Sequence, residues 1–325
     1  MTKKIYAVVF IFFNVMYIHA FGKSEARHRR ELEQYPITVA PISLRGGIAY
    51  DYVFIDTDRI ILREALQLTE FNLSTGEQKK IELPEEWAER RSLRLRGFQY
   101  DKANNSVHMI LLNNAPEYIC TYHILYLDNY SWEAIEEPGN QIRFFYYDAI
   151  NMLSYVGHFV TYETGSGYRR KTYITTYDLQ KREIVDRVEI PDDTYAVYSL
   201  YLYDNQPKML ATTQNTGRLH YFTYDIPNRT RIDFPEAIIN FDSLNDYIPI
   251  IENGCFLGVS SARAGSSIVM MNLNNNTRET VALDDFPYFI YNFQQIAESK
   301  YSFLVGTSTW AGGEGPQFLC FLDYP

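Results

Sequence analysis

The sequence predicts an all-β protein, a six-bladed β-propeller of four-stranded antiparallel blades, its ring closed by an N-terminal strand that completes the last blade. Three observations carry this expectation. A turn pattern returns along the chain at a constant spacing. The composition is rich in aromatic residues suited to sheet. The last repeat lacks its final strand, while a spare strand-like segment precedes the first.

The repeat is the strongest of the three. "YDLQKREIVDRVEI" from Tyr177 sets an apolar residue before Asp, a polar turn, and then a new apolar run. The pattern returns as "FNLSTGEQKKIEL", "LDNYSWEAIEE", "YDIPNRTRIDF", "MNLNNNTRETVAL" and "LDYP". Its anchors are Asn72, Asp128, Asp178, Asp225, Asn272 and Asp323. A second acidic register, Asp56, Asp101, Asp148, Asp204, Glu252 and Glu298, keeps the same period of roughly 50 residues, in the range of propeller blades. Two turn registers with one period imply six copies of one unit, each of four short strands. The anchors then mark the turn between the third and fourth strands. Short Asp and Asn side chains there accept local backbone hydrogen bonds, a structural role.

Composition agrees. Hydrophobic residues make up 46% of 325, with 28 Tyr and 20 Phe, and aromatic side chains suit a pleated, half-buried surface. The formal net charge of −10 argues against a nucleic-acid groove, which needs clustered Lys and Arg. Cys120, Cys255 and Cys320 are too few and too scattered for a disulfide framework and read as buried thiols.

The ends complete the organisation. Residues 1–20 read as a signal peptide: Lys3 and Lys4, then the apolar run "IYAVVFIFFNVMYIHA", with cleavage after Ala20. No membrane span is expected after cleavage, and the protein is expected to be secreted or periplasmic. Residues 21–35 form a highly charged segment, a short solvated helix or disordered chain, whose composition does not support a core. Residues 36–325 form the propeller. Within it, "YPITVAPIS" supplies the strand that the sixth blade lacks, which removes an exposed edge. "PEEWAERRSLRL", with Pro84 suited to a first turn, is a helix candidate between the first two blades.

On its period, turn pattern and strand composition, the region 36–325 resembles the secreted six-bladed β-propeller proteins of the TolB-like and NHL-like type. The resemblance implies either a binding scaffold or a hydrolase. The calcium-dependent lactonase branch of such proteins implies acidic and Asn ligands around the central channel, and no residue here matches them one for one. No cofactor is therefore assigned, with calcium the ion that the resemblance would bring. Standard catalytic signatures are absent: no G-x-S-x-G, H-E-x-x-H, P-loop or C-x-x-C occurs. His123 and His220 lie in third strands of different blades and do not form a metal pair.

Candidate contacts lie in the loops joining second to third strands, on the top face, which differ from blade to blade. These are Arg63, then Tyr168, Arg169 and Arg170 beside Lys171, then Arg218 and Arg263. The glycine-rich stretch "GTSTWAGGEGPQ" adds Trp310 and Glu314. Arginine offers a planar fork for carboxylate or sulfate groups, and a tryptophan face stacks on a sugar. The expected function is a non-catalytic module binding a protein or an acidic saccharide. The alternative is a metal-assisted hydrolase or lactonase with its ion in the central channel.

Overall fold

The computed structural model describes residues 25–44, 51–64, 67–88, 93–113, 120–135, 142–164, 167–215, 218–234, 248–249, 254–262, 265–275, 277–306 and 317–324. They form six four-stranded antiparallel sheets, the blades of a β-propeller. The expected signal peptide lies outside the described residues. No helix among those described is long and apolar enough to cross a membrane.

The N-terminal strand is β1 (Thr38–Leu44). The first blade holds β2 (Tyr52–Phe54), β3 (Arg59–Glu64), β4 (Gln67–Asn72) and β5 (Gln78–Ile81). A helix over 25–32, α1, precedes β1, and α2 (Glu85–Ala88) follows β5 where the Pro84 signal placed a helix. Blade two holds β6 (Leu93–Asp101), β7 (Ser106–Asn113), β8 (Cys120–Tyr126) and β9 (Ser131–Ile135). Blade three holds β10 (Ile142–Asp148), β11 (Leu153–Thr164), β12 (Gly167–Asp178) and β13 (Glu183–Glu189). Blade four holds β14 (Thr194–Tyr203), β15 (Gln206–Asn215), β16 (Arg218–Asp225) and β17 (Thr230–Asp233). Blade five holds β18 (Ile248–Pro249), β19 (Cys255–Ala262), β20 (Gly265–Asn272) and β21 (Thr277–Phe286). In the last blade β22 (Phe289–Ala297), β23 (Lys300–Gly306) and β24 (Gln317–Asp323) are joined by β1 on the outer side of β24.

The chain divides into two compact units: Tyr50–Ser260 with Ile268–Ala282, and Met1–Ala49 with Ser261–Ser267 and Leu283–Pro325. In the first of these, apolar layers fill the spaces between consecutive blades. Val53, Ile61 and Leu68 of blade one meet Val107, Met109 and Leu125 of blade two. On the other face of β7 and β8, Ile110, Tyr122 and Ile124 meet Phe145 and Val156 of blade three. Alternation along one strand therefore serves two interfaces at once, which is why strands in the blades are apolar on both faces. Similar layers join blade three to four and four to five.

The repeated Asp and Asn residues act as the turn reading expects. Asp56 Oδ1 accepts the backbone N–H of Asp58 and Arg59, and Asp101, Asp148 and Asp178 each accept two in the same way. Asn72 and Asn272 do likewise, and Asp225 accepts from Asn228. Asp204 works differently: with Asn205 it takes positive φ, 50° and 56°, in a two-residue hairpin turn. Blade two also departs. There Tyr126 holds the place of the anchor, and Asp128, two residues on, accepts from Asn105 Nδ2 at 2.5 Å. Glu252 lies outside the described residues.

One backbone bond recurs in all six blades. The residue that follows the third strand donates its N–H to a carbonyl in the turn between first and second strands, or in blade four to Pro207 just past that turn. The pairs are Leu73 to Asp58, Leu127 to Asn105, Leu179 to Met152, Ile226 to Pro207, Leu273 to Gly254 and Tyr324 to Ser299, at 2.6–3.1 Å. Gly254 takes φ +89°, and a Cβ there would stand 2.8 Å from both Asn274 Nδ2 and the Phe234 ring. A side chain is therefore excluded twice over.

In the unit that contains the last blade, β1 pairs with β24 from Thr38↔Phe321 to Leu44↔Gln317, with a bulge between Val39 and Ser43 that holds Pro41. The proline sits on an edge strand, where its missing N–H costs no ladder bond. The charged segment before it is more than solvated. Leu32 of α1 is fully buried, Arg29 Nη1 donates to Ala40 O at 2.7 Å, and its guanidinium lies over the Phe318 ring. Tyr288 OH donates to Glu31 Oε2 at 2.5 Å, and Arg27 Nε to Oε1 at 2.8 Å. Those two bonds hold the Glu31 carboxyl at about 2.

Leu32→Ala should therefore cost about 2–5 kcal/mol of stability by urea denaturation, as for other leucines truncated in a packed core; a cost near zero would mean that α1 is not packed. Because the folded pKa of Glu31 lies below its ordinary value of 4.5, the unfolded chain takes the proton first. The stabilisation is whole above that value and is lost as pH falls towards about 2. Glu31→Gln should remove this part of the acid sensitivity.

Candidate functional site

Blade three carries a hairpin that outgrows its own sheet. β11 and β12 pair without interruption from Leu153↔Asp178 to Thr164↔Gly167. The last described pair of β10 and β11 is Ile142↔His158, and β13 leaves β12 at Tyr173↔Glu189. The last bond on the β13 side runs from Ile190 N–H to Thr172 O at 3.0 Å. Pro191 follows, and a turn closed by Thr194 N–H to Pro191 O then leads the chain into β14. Residues 159–164 and 167–172 thus form a ribbon that continues past the end of β13, at the end of the blade where second and third strands join. At about 3.4 Å per residue it reaches roughly 20 Å. The corresponding hairpin of blade four extends only from Thr213↔His220 to Asn215↔Arg218 beyond the pairing of β14.

The expected contact residues fall into three groups. Tyr168, Arg169 and Arg170 lie on the ribbon, opposite Glu163, Tyr162 and Thr161. They are strand residues rather than loop residues, because the hairpin continues to Gly167. Lys171, opposite Val160, pairs through Nζ with Glu189 Oε1. Arg218 opens β16, opposite Asn215. Arg63 departs from expectation: it is a strand residue, 5% exposed, with its backbone N–H on Asp51 O and Nη2 3.5 Å from Asp51 Oδ2. A buried guanidinium needs a compensating charge, and here Asp51 supplies it inside blade one. Arg263, Trp310 and Glu314 lie outside the described residues.

A second polar group, between blades two and three, had no signal as a unit in the sequence. His108 Nε2 meets Ser106 Oγ at 3.2 Å and Nδ1 meets Tyr122 OH, which in turn meets Ser154 Oγ at 2.8 Å. The imidazole stacks on Tyr147 at 3.9 Å between centroids. Tyr147 OH donates to Asp101 Oδ2 at 2.7 Å, and Asn104 Nδ2 donates to the same oxygen at 2.6 Å. Burial raises the cost of the Asp101 charge, yet the bonds from Asn104 and Tyr147 and two backbone N–H groups hold its pKa below the ordinary value. Burial pushes His108 down to about 4, and likewise His123, which bonds Thr121 Oγ1 at 2.7 Å and packs on the edge of Trp87. Both are neutral core histidines at neutral pH. The adjoining pocket, roofed by the Arg182–Glu133 ion pair, has a volume of about 90 Å³, room for a few waters rather than a substrate.

Among the described residues, no three His, Cys, Asp or Glu side chains converge as metal ligands. Cys255 and Cys320 are buried thiols, and burial lifts Cys320 to about 12. Cys120 begins β8.

No protein-family profile matches the chain, and no curated protein sequence matches it. Solved structures do. The Pyrococcus horikoshii acylaminoacyl peptidase is similar with a TM-score of 0.50 and 12% identity, over 82% of this chain and 43% of that one. An acylaminoacyl peptidase in complex with Z-Gly-Gly-Phe-chloromethyl ketone gives 0.51 at 11% identity, over 80% and 43%. TolB from Acinetobacter baumannii gives 0.47 at 11% identity, over 85% and 63%. The chain spans less than half the length of the peptidases, and at this identity the likeness is one of fold.

The buried histidines set a pH dependence. Their folded pKa lies below the ordinary 6.5, so the unfolded chain is protonated first as pH falls. Their stabilisation is whole above about pH 6.5 and is lost on the way down to about pH 4. His108→Gln should reduce the slope of the urea midpoint against pH across that window. An unchanged slope would show that His108 does not titrate there.

Proposed function

We propose that the chain is a secreted or periplasmic binding module without catalysis of its own, engaging its ligand through the top-face hairpins. The observation that carries this reading is the ribbon of blade three. The hairpin orders twelve paired residues past the last pair of β13, and ordering chain costs entropy. It also bears the contiguous basic residues Arg169, Arg170 and Lys171 in a chain of net charge −10, while the opposite ends of the blades are occupied by turn-forming Asp and Asn. Arg218 on blade four belongs to the same contact set, whereas Arg263, Trp310 and Glu314 lie outside the described residues.

The test is site-specific photo-cross-linking in the source cell. A photoreactive residue at Arg170 or Arg218 should give discrete adducts. The same residue at Ile150, exposed in the opposite turn of blade three, should give none. A ligand so found should bind about tenfold more weakly to Arg169→Glu/Arg218→Glu, as when charge complementarity is reversed, with an unchanged melting temperature. Adducts from position 150 alone, or unchanged affinity, would sink the reading. A melting temperature that falls in EDTA and recovers with calcium would move the function to an ion in the central channel.

A further inference from the structure

The ribbon has an open backbone edge, and its orientation follows from one bond. In an antiparallel strand, the N–H and C=O of a residue point to the same side, and alternate residues point to opposite sides. Thr172 O accepts from Ile190 on the β13 side. Arg170 and Tyr168, two and four residues back along β12, therefore turn their N–H and C=O groups to that side as well. Among the described residues no strand pairs with them there, because β13 ends at Glu189 and Pro191 follows. The free length continues the line that β13 occupies lower in the same blade.

We propose that this edge of β12, from Gly167 to Lys171, takes an acidic, extended peptide segment of a partner protein as an added strand. The inference rests on the top-face binding reading and names its partner class. Free N–H and C=O groups two residues apart match the repeat of an extended peptide, which is the geometry of strand addition. A saccharide has no such repeat. The basic run at 169–171 selects for acidic side chains on the incoming strand and steers its approach. The same run disfavours a second copy of this chain, since edge-to-edge pairing would set Arg169 to Lys171 of one chain against those of the other. Lys171 is already paired with Glu189, so Arg169 and Arg170 carry the selectivity.

Fluorescence anisotropy with a short labelled peptide alternating glutamate and valine tests it on the full mature chain. The acidic peptide should bind and its lysine–valine counterpart should not. Arg169→Glu/Arg170→Glu should weaken binding about tenfold or more through charge, with the melting temperature unchanged. The acidic peptide methylated on every backbone nitrogen should lose binding, since it keeps its side chains but cannot extend the sheet. Equal binding of the methylated peptide would overturn strand addition, and a concentration-dependent dimer with no peptide binding would make the edge a self-association site. No peptide binding while cross-links from position 170 persist would defeat this inference and leave the top-face reading standing; loss of both would defeat the two together.

Discussion

Every blade closes its lower end with the same backbone bond. A single N–H to C=O contact ties the residue after the third strand to the end of the first hairpin and holds the register of second and third strands there. Side chains in a strand alternate with a period of two, and a slip of one residue would carry each apolar set to the wrong interface. Leu73, Leu127, Ile226 and Leu273 both donate this bond and bury their side chains. Backbone register and apolar burial are thereby fixed by the same residue. The Asx turns beside it satisfy backbone N–H groups that the turn would otherwise leave to water.

This arrangement gives the two ends of a blade different freedoms. At the lower end, spacing, turn residue and burial constrain one another, and the sequence repeats. At the upper end the hairpin that joins second and third strands carries no such recurring bond among the described residues. Their length is free to vary, from Glu64↔Gln67 in blade one to the twelve-pair ladder of blade three. In blade three the outer strand ends at Glu189 and the chain turns off through Thr194 N–H to Pro191 O, while β12 continues back to Gly167.

The architecture was legible in the sequence because it is written as a repeat. Six turn markers at one period required six units, and the spare segment before the first blade matched the strand missing from the last. What was not legible has physical causes. The anchor of blade two is Tyr126 rather than Asp128, and the chemistry of the residue did not reveal it because the recurring constraint there is a backbone bond. Arg63 reads as a loop cation, yet its role depends on Asp51, twelve residues earlier and across a strand pair. Tyr168, Arg169 and Arg170 read as loop residues, yet β12 begins at Gly167 and they are strand residues. The charged N-terminal segment concealed Leu32, one apolar residue among many ionic ones.

The cluster of Ser106, His108, Tyr122 and Ser154 shows how placement decides between chemistry and structure. Serine beside histidine invites a nucleophilic reading. Here the histidine is 2% exposed, both of its nitrogens are engaged, and Asp101 lies 4.0 Å from Nε2 while accepting shorter bonds from Asn104 and Tyr147. A general base must reach the proton it removes, and both nitrogens of this imidazole are engaged beside a pocket of only about 90 Å³. Its effect is to satisfy polar groups in an otherwise apolar seam and to make blades two and three specific for each other. Reactive residue types are thus used here for cohesion between blades: a serine, a histidine and a tyrosine satisfy one another across the seam instead of facing a substrate.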